Sequence, residues 1–219
     1  LQKLKDNHPQ AIGLDIYRNL PVEPGYQDLV HVYKSTPNLV GIELLSNNTH
    51  ISVPPPPILE QLHQVGFNNV VYDADGKVRR SLLYWHIDNQ AHESFALKLA
   101  LGYLKSKGVT PKKAKSHPEY LQLGQAEFHR FQPSYGGYVG ADSRGYQILS
   151  NFPKMSTKNS SVEGYGFRKV SMRDVFNGQV SPSLIKDRIV LIGSTATSLQ
   201  DFALFPYSSR LIGTAKPVA

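Results

Sequence analysis

Four side chains capable of chemistry stand at the ends of apolar runs. Asp15 lies in AIGLDI (11–16), Glu43 near the end of LVGIELL (39–45), Asp73 just after the run 67–72, and Ser194 just after RIVLIG (188–193). Each run reads as a buried strand. In open α/β sheets, ligands sit in the crevice outside the carboxyl ends of the strands. Adjacent strands would bring these four groups to one crevice, with Arg18 and Arg79 available to balance charge. The chemistry this offers is recognition of a polar ligand, and the six residues are the candidate binding set. The competing reading is a network of structural salt bridges along the sheet edge, because ionic networks imitate sites in this way. Acid–base catalysis would fall to Asp15 and Glu43, but neither a nucleophile nor a metal accompanies them.

Other constellations carry less. Asp73-Ala74-Asp75-Gly76 begins like a calcium loop, yet lacks the third oxygen donor and the bidentate Glu that such a loop needs. A hairpin turn explains the same residues. The eight histidines are scattered, with no pair at the helical spacing of metal ligands. Gly193-Ser194-Thr195 could turn backbone N–H groups toward an anion, or simply cap the next turn. No nucleophile elbow, phosphate loop or dinucleotide fingerprint occurs, and there is no cysteine for thiol chemistry or disulfides. Neither a cofactor nor a metal is expected.

The elements that must position these groups follow from the same pattern. Apolar strands at 11–16, 39–45 and 67–72 are separated by helical stretches at 26–35 and after Pro54–Pro57, which indicates βαβ units and a parallel sheet. Val65 to Ile87 then reads as strand, turn and returning strand, the Asp75-Gly76 pair supplying the turn. Arg79 and Arg80 follow it, and strand alternation sends them to opposite sides. Residues 93–105 form a helix apolar nearly all round, so neighbours must bury it on two sides. Residues 108–126 read as polar loop. Strands at 127–131 and 146–152 are expected to pair across a Gly-rich turn, with a flexible loop at 156–166. Ser171 to Asp174 resembles a capping box, and Ser181-Pro182 starts another short helical turn. The expected class is α/β, a mixed central sheet with a parallel βαβ core, flanking helices and an antiparallel insert.

With 219 residues, 40% of them hydrophobic, one domain with a substantial core is expected. The net charge of +7 raises nucleic acid and anionic lipid as partners. Lys105, Lys107, Lys112, Lys113 and Lys115 supply much of that excess, and a solvated helix end accounts for such a run. No nucleic-acid motif is present, so nucleic acid is not expected. No apolar run reaches the roughly 18 residues of a membrane span.

Five segments, GLDIYRNLPVEPG (13–25), TPNLVGIE (36–43), VGFNNVVYDADGKVRR (65–80), ESFALKLALGYL (93–104) and DRIVLIGSTATSLQD (187–201), together resemble the type-two CHASE domain, in detail its cyanobacterial members. The resemblance implies an extracytoplasmic, periplasmic sensor of a bacterial receptor. Membrane helices would flank the sensor, and a cytoplasmic cyclase or kinase would follow. It also implies a small-molecule or protein signal, a homodimer in the full receptor, and no catalytic motif in the sensor. Against that pattern the chain reads as a single domain over 1–219, truncated at both ends. A dimerisation scaffold without a small ligand is the alternative, for which an exposed apolar patch around Tyr84 and Trp85 would speak.

Overall fold

The computed structural model describes residues 1–46, 52–87, 89–152, 167–194, 196, 203, 204 and 206. Its organising element is a four-stranded parallel sheet, built from β1 (Ala11–Asp15), β2 (Leu39–Glu43), β3 (Val65–Phe67) and β10 (Ile189–Gly193) in the order β10-β1-β2-β3. The uninterrupted apolar character of these runs has a direct cause, since the central strands are covered on both faces. Alternation along β1 sends Ile12 and Leu14 to one face and Ala11 to the other. On the first face Ile12 and Leu14 join Tyr33 of α2 (Tyr26–Lys34), Leu59 of α3 (Pro57–Gln61), Leu4 of α1 (Gln2–Lys5) and Ile185. On the second, Ala11, Val40 and Ile42 pack on Phe95 and Leu99 of α4 (Phe95–Lys105).

Two glycines let α4 come this close. A Cβ on Gly66 would stand 2.6 Å from Phe95 Cα, and one on Gly13 would stand 2.7 Å from the Phe95 and Leu99 side chains. The start of α4 is fixed by Ser94, whose hydroxyl accepts the Leu97 N–H at 3.2 Å. Ser94 also bridges to Phe67, so the helix begins beside the carboxyl end of β3.

The antiparallel insert consists of two small sheets. One has the order β5-β4-β9, formed by β4 (Arg80–Ile87), β5 (Gln90–Glu93) and β9 (Tyr146–Leu149). The other has the order β6-β7-β8, formed by β6 (Pro111–Lys113), β7 (Leu121–Leu123) and β8 (Ala126–Phe128), and it packs on α4 through Leu121 and Leu97. Two expectations are corrected here. Residues 108–126 are not plain loop, and the strands near 127–131 and 146–152 do not pair with each other. β8 pairs with β7, and β9 pairs with β4.

The strand expected over 67–72 lies instead at Val65–Phe67 and shares only Phe67 with that span, because beyond it the Asn69 side chain replaces the ladder. Its amide accepts from Leu45 N–H at 3.0 Å and donates to Leu45 C=O at 2.9 Å. The turn that follows is as expected, with Gly76 at φ 74° and its N–H on the Asp73 carbonyl. The capping box at Ser171–Asp174 opens α5 (Met172–Phe176), and a 3₁₀ turn follows at Pro182–Leu184. The loop expected at 156–166 lies outside the described residues, as do Thr195, Asp201 and Tyr207.

Candidate functional site

The carboxyl edge of the parallel sheet carries the candidate site. From β1 the chain passes through α2 to β2 on one side, while β10 lies on the other side of β1. The strand order therefore reverses between β1 and β10, the position at which open α/β sheets hold ligands. Asp15 and Gly193 end their strands in register there. Gly193 brings no side chain of its own to the Asp15 carboxylate; a Cβ added there would stand 3.8 Å from Asp15 Cβ. Ser194 follows, exposed, with its hydroxyl accepting the Ala196 N–H at 3.4 Å, which is the capping role of a serine after a strand. Arg18, three residues beyond β1, is exposed and makes no ion pair among the described residues.

Asp15 is half-buried and accepts from Asn68 Nδ2 at 2.7 Å, a bond that spans the end of β2. The Asn68 N–H meanwhile donates to the Glu43 carbonyl at 2.9 Å. Glu43 turns its own carboxylate to His92 of β5, with Nδ1 3.3 Å from Oε1. The parallel sheet thus brings Asp15, Arg18, Glu43, Asn68 and Ser194 to one edge, and the insert adds His92. Beneath the edge the Tyr33 hydroxyl is buried with no hydrogen-bond partner. Burial pushes its pKa up to about 12, with the Arg18 charge pulling the other way.

Asp73 and Arg79 belong elsewhere, and this corrects the expectation that they share the crevice. β3 ends at Phe67, so Asp73 is carried away by the irregular crossing that leads into β4. There its carboxylate is the centre of a closed network. Oδ2 accepts from Arg79 at 2.7 Å and from the Tyr138 hydroxyl at 2.9 Å, and Oδ1 accepts from Arg80 Nε at 2.9 Å. Burial raises the Asp73 pKa, but the hydrogen bonds from Arg79, Tyr138 and Arg80 outweigh it and hold the carboxyl below the usual range. Arg79 also forks onto Asp75 at 2.8 and 2.7 Å, so it braces the turn and not the sheet edge.

Arg80 is the residue sequence reasoning passed over. Its side chain is 3% exposed, with NH1 donating to Gln147 Oε1 at 2.8 Å and to the Asp142 carbonyl at 2.6 Å. The guanidinium lies 4.9 Å from the Phe131 ring centroid and 5.3 Å from that of Tyr138. A signal for this was present in the sequence. Val78, Arg80 and Leu82 alternate on one side of the strand, and all three are buried. Among the described residues no buried side-chain atom of this knot lacks a hydrogen-bond partner, so the knot serves to hold structure. Among the described residues no group of three or more His, Asp or Glu side chains could hold a metal ion.

The family model of the CHASE2 domain matches residues 1–218. The chain belongs to the CHASE2 family. No curated protein and no solved structure matches it. CHASE2 domains are extracellular sensor modules of signalling receptors. No helix among the described residues is long and apolar enough to cross a membrane.

Proposed function

We propose that this CHASE2 domain is the non-catalytic, periplasmic ligand-binding module of a bacterial transmembrane receptor, cyanobacterial on its motif detail. It regulates a cytoplasmic cyclase or kinase. The observation that carries the reading is the contrast between the two polar clusters. The Asp73 knot is closed, whereas the β1–β10 edge presents an exposed Arg18 and Ser194 beside the half-buried Asp15. Asp15, Arg18, Glu43 and Ser194 form the binding set, and Asp73 and Arg79 support the fold around it. A ligand shifts the receptor only by the difference in its affinity for two states, so the edge must be able to change shape. A thermal-shift series with amino acids, dicarboxylates and nucleotides tests this. Expected is a rise for one class that D15N and R18A each abolish, since saturation at about 100 times Kd stabilises by about 2.7 kcal/mol. No shift with any class, or a shift that survives both substitutions, refutes the site.

A second reading, a dimerisation scaffold, rests on β10. Tyr84 and Trp85 do not form the exposed patch expected of them. Trp85 packs edge-on against Phe67 at 6.3 Å, and Tyr84 packs against Tyr146. Among the exposed apolar side chains are Ile189 at 39% and Leu191 at 48%, on a strand that is outermost in its sheet among the described residues and carries no charged residue. A chain that stays monomeric at high concentration removes this reading.

A further inference from the structure

The stretch from Ser94 to Pro118 holds six lysines and no carboxylate, and so nearly the whole of the net charge of +7. Among the described residues, Lys98 alone of the six is paired, with Glu93 at 3.4 Å. Lys105 and Lys107 at the end of α4, and Lys112, Lys113 and Lys115 on and after β6, are all exposed, and none has an ion-pair partner among the described residues. The Val109 N–H bond to the Leu104 carbonyl folds the chain back at once, which keeps the helix end and β6 together. Lys107 lies 5.8 Å from the Tyr103 ring centroid. The carboxylates that flank the stretch are Glu93, paired with Lys98, and Glu119; Glu127 farther on accepts from the Ser116 hydroxyl.

A lysine in the last turn of a helix complements the helix dipole, and lysine on an edge strand discourages pairing with other chains. Those roles account for Lys105 and for one residue of β6. They leave three of the five without a structural use, and strand alternation turns Lys113 and Lys115 to the side opposite the buried Ala114. The stretch also contains no arginine. Arginine forks recognise one phosphate or carboxylate in a fixed geometry, whereas lysines act as mobile point charges. Five such charges without a pocket suit a diffuse, extended anionic surface better than a discrete ligand. α4 starts at the carboxyl edge of the sheet, so this face lies roughly 16 Å down the helix axis from the candidate binding edge. Both can be occupied together.

We propose that the Lys105–Lys115 face docks the domain on the anionic headgroups of a phospholipid membrane. Each lysine near such a surface contributes a roughly fivefold gain in partitioning, and salt screens it within about 8–10 Å.

Co-sedimentation of the 219-residue chain with phosphatidylcholine vesicles, with and without one-third phosphatidylglycerol, tests the proposal. Expected is binding to the phosphatidylglycerol vesicles alone at about 0.05 M salt, released at about 0.5 M. The pair K113E/K115E, two residues apart and so on one side of the strand, should weaken it by at least roughly 25-fold, whereas K34E/K186E, which removes the same net charge from exposed positions elsewhere, should leave most of it. Circular dichroism of both variants checks that they fold. The proposal is overturned by failure to bind anionic vesicles at low salt, by binding that ignores salt, or by equal losses in the two variants. Capture by a soluble anionic polysaccharide of matched charge, without binding to vesicles, also overturns it.

Discussion

Arg80 offers the sharpest test of how the fold is held. Replacing it with Met keeps the length and apolar stem but removes the guanidinium. Asp73, itself 6% exposed, then loses its Oδ1 partner, and Gln147 Oε1 loses a donor. Removing one partner of a buried ion pair costs about 3–5 kcal/mol, because the other charge stays behind. Asp73 retains Arg79 and Tyr138 on Oδ2, which argues for the lower end, about 3 kcal/mol. For a domain of this size that corresponds to a fall in Tm of about 6–12 °C. Trp85, the single tryptophan, packs on Phe67 and reports urea unfolding by fluorescence. The matching R79M variant should stay close to wild type, since Arg79 is 32% exposed and most of its contacts are solvent-facing. The pH profile adds a second readout. A carboxyl held below its unfolded pKa contributes stability above that pKa and loses it as pH falls through the folded value. In R80M the Asp73 pKa moves back up, so acid unfolding begins at a higher pH than in wild type. The reasoning is refuted if R80M unfolds within about 0.5 kcal/mol of wild type, or if R79M costs as much.

Two further predictions concern the core. Tyr33→Phe removes a buried hydroxyl without a partner, so it should be neutral or stabilising by about 1 kcal/mol at pH 7. A hydroxyl whose folded pKa is raised to about 12 keeps its stabilisation below the unfolded value of 10.0 and loses it as pH rises through 12. Y33F should therefore lack about 2–3 kcal/mol of the wild-type loss over that range, and identical alkaline limbs would contradict it. Gly66→Ala sets a methyl against the backbone of Phe95 and should cost about 2–3 kcal/mol, since α4 must move. Gly41→Ala meets only the end of the Leu59 side chain and should cost less, as differential scanning calorimetry of the pair will show.

The parallel sheet was legible because its central strands are buried on both faces and so read as unbroken apolar runs. The sheet β6-β7-β8 was not, because Pro111-Lys112-Lys113 is exposed throughout and carries no alternation to read. Asp15 and Glu43 could be placed from the strand ends alone. Asp73 could not, since its position depends on where Asn69 ends a strand, and that is decided by a tertiary bond to Leu45. Arg80 was within reach of the alternation rule, had Val78 and Leu82 been taken as marking the buried side.

The two clusters also differ in what they can transmit. The chain that leaves the candidate edge at Ser194 is tied down again at Leu204, which pairs with Lys77 and accepts the Val78 N–H at 2.8 Å. That anchor lies directly beside Arg79 and Arg80. A network whose buried groups are all paired resists rearrangement, because each displaced group must lose a partner in a low-dielectric interior. The knot therefore holds Leu204 in place, whereas Ser194 and Arg18 at the edge are exposed. On the proposed reading of the edge, stability should respond to Arg80 and signalling to Asp15 and Arg18.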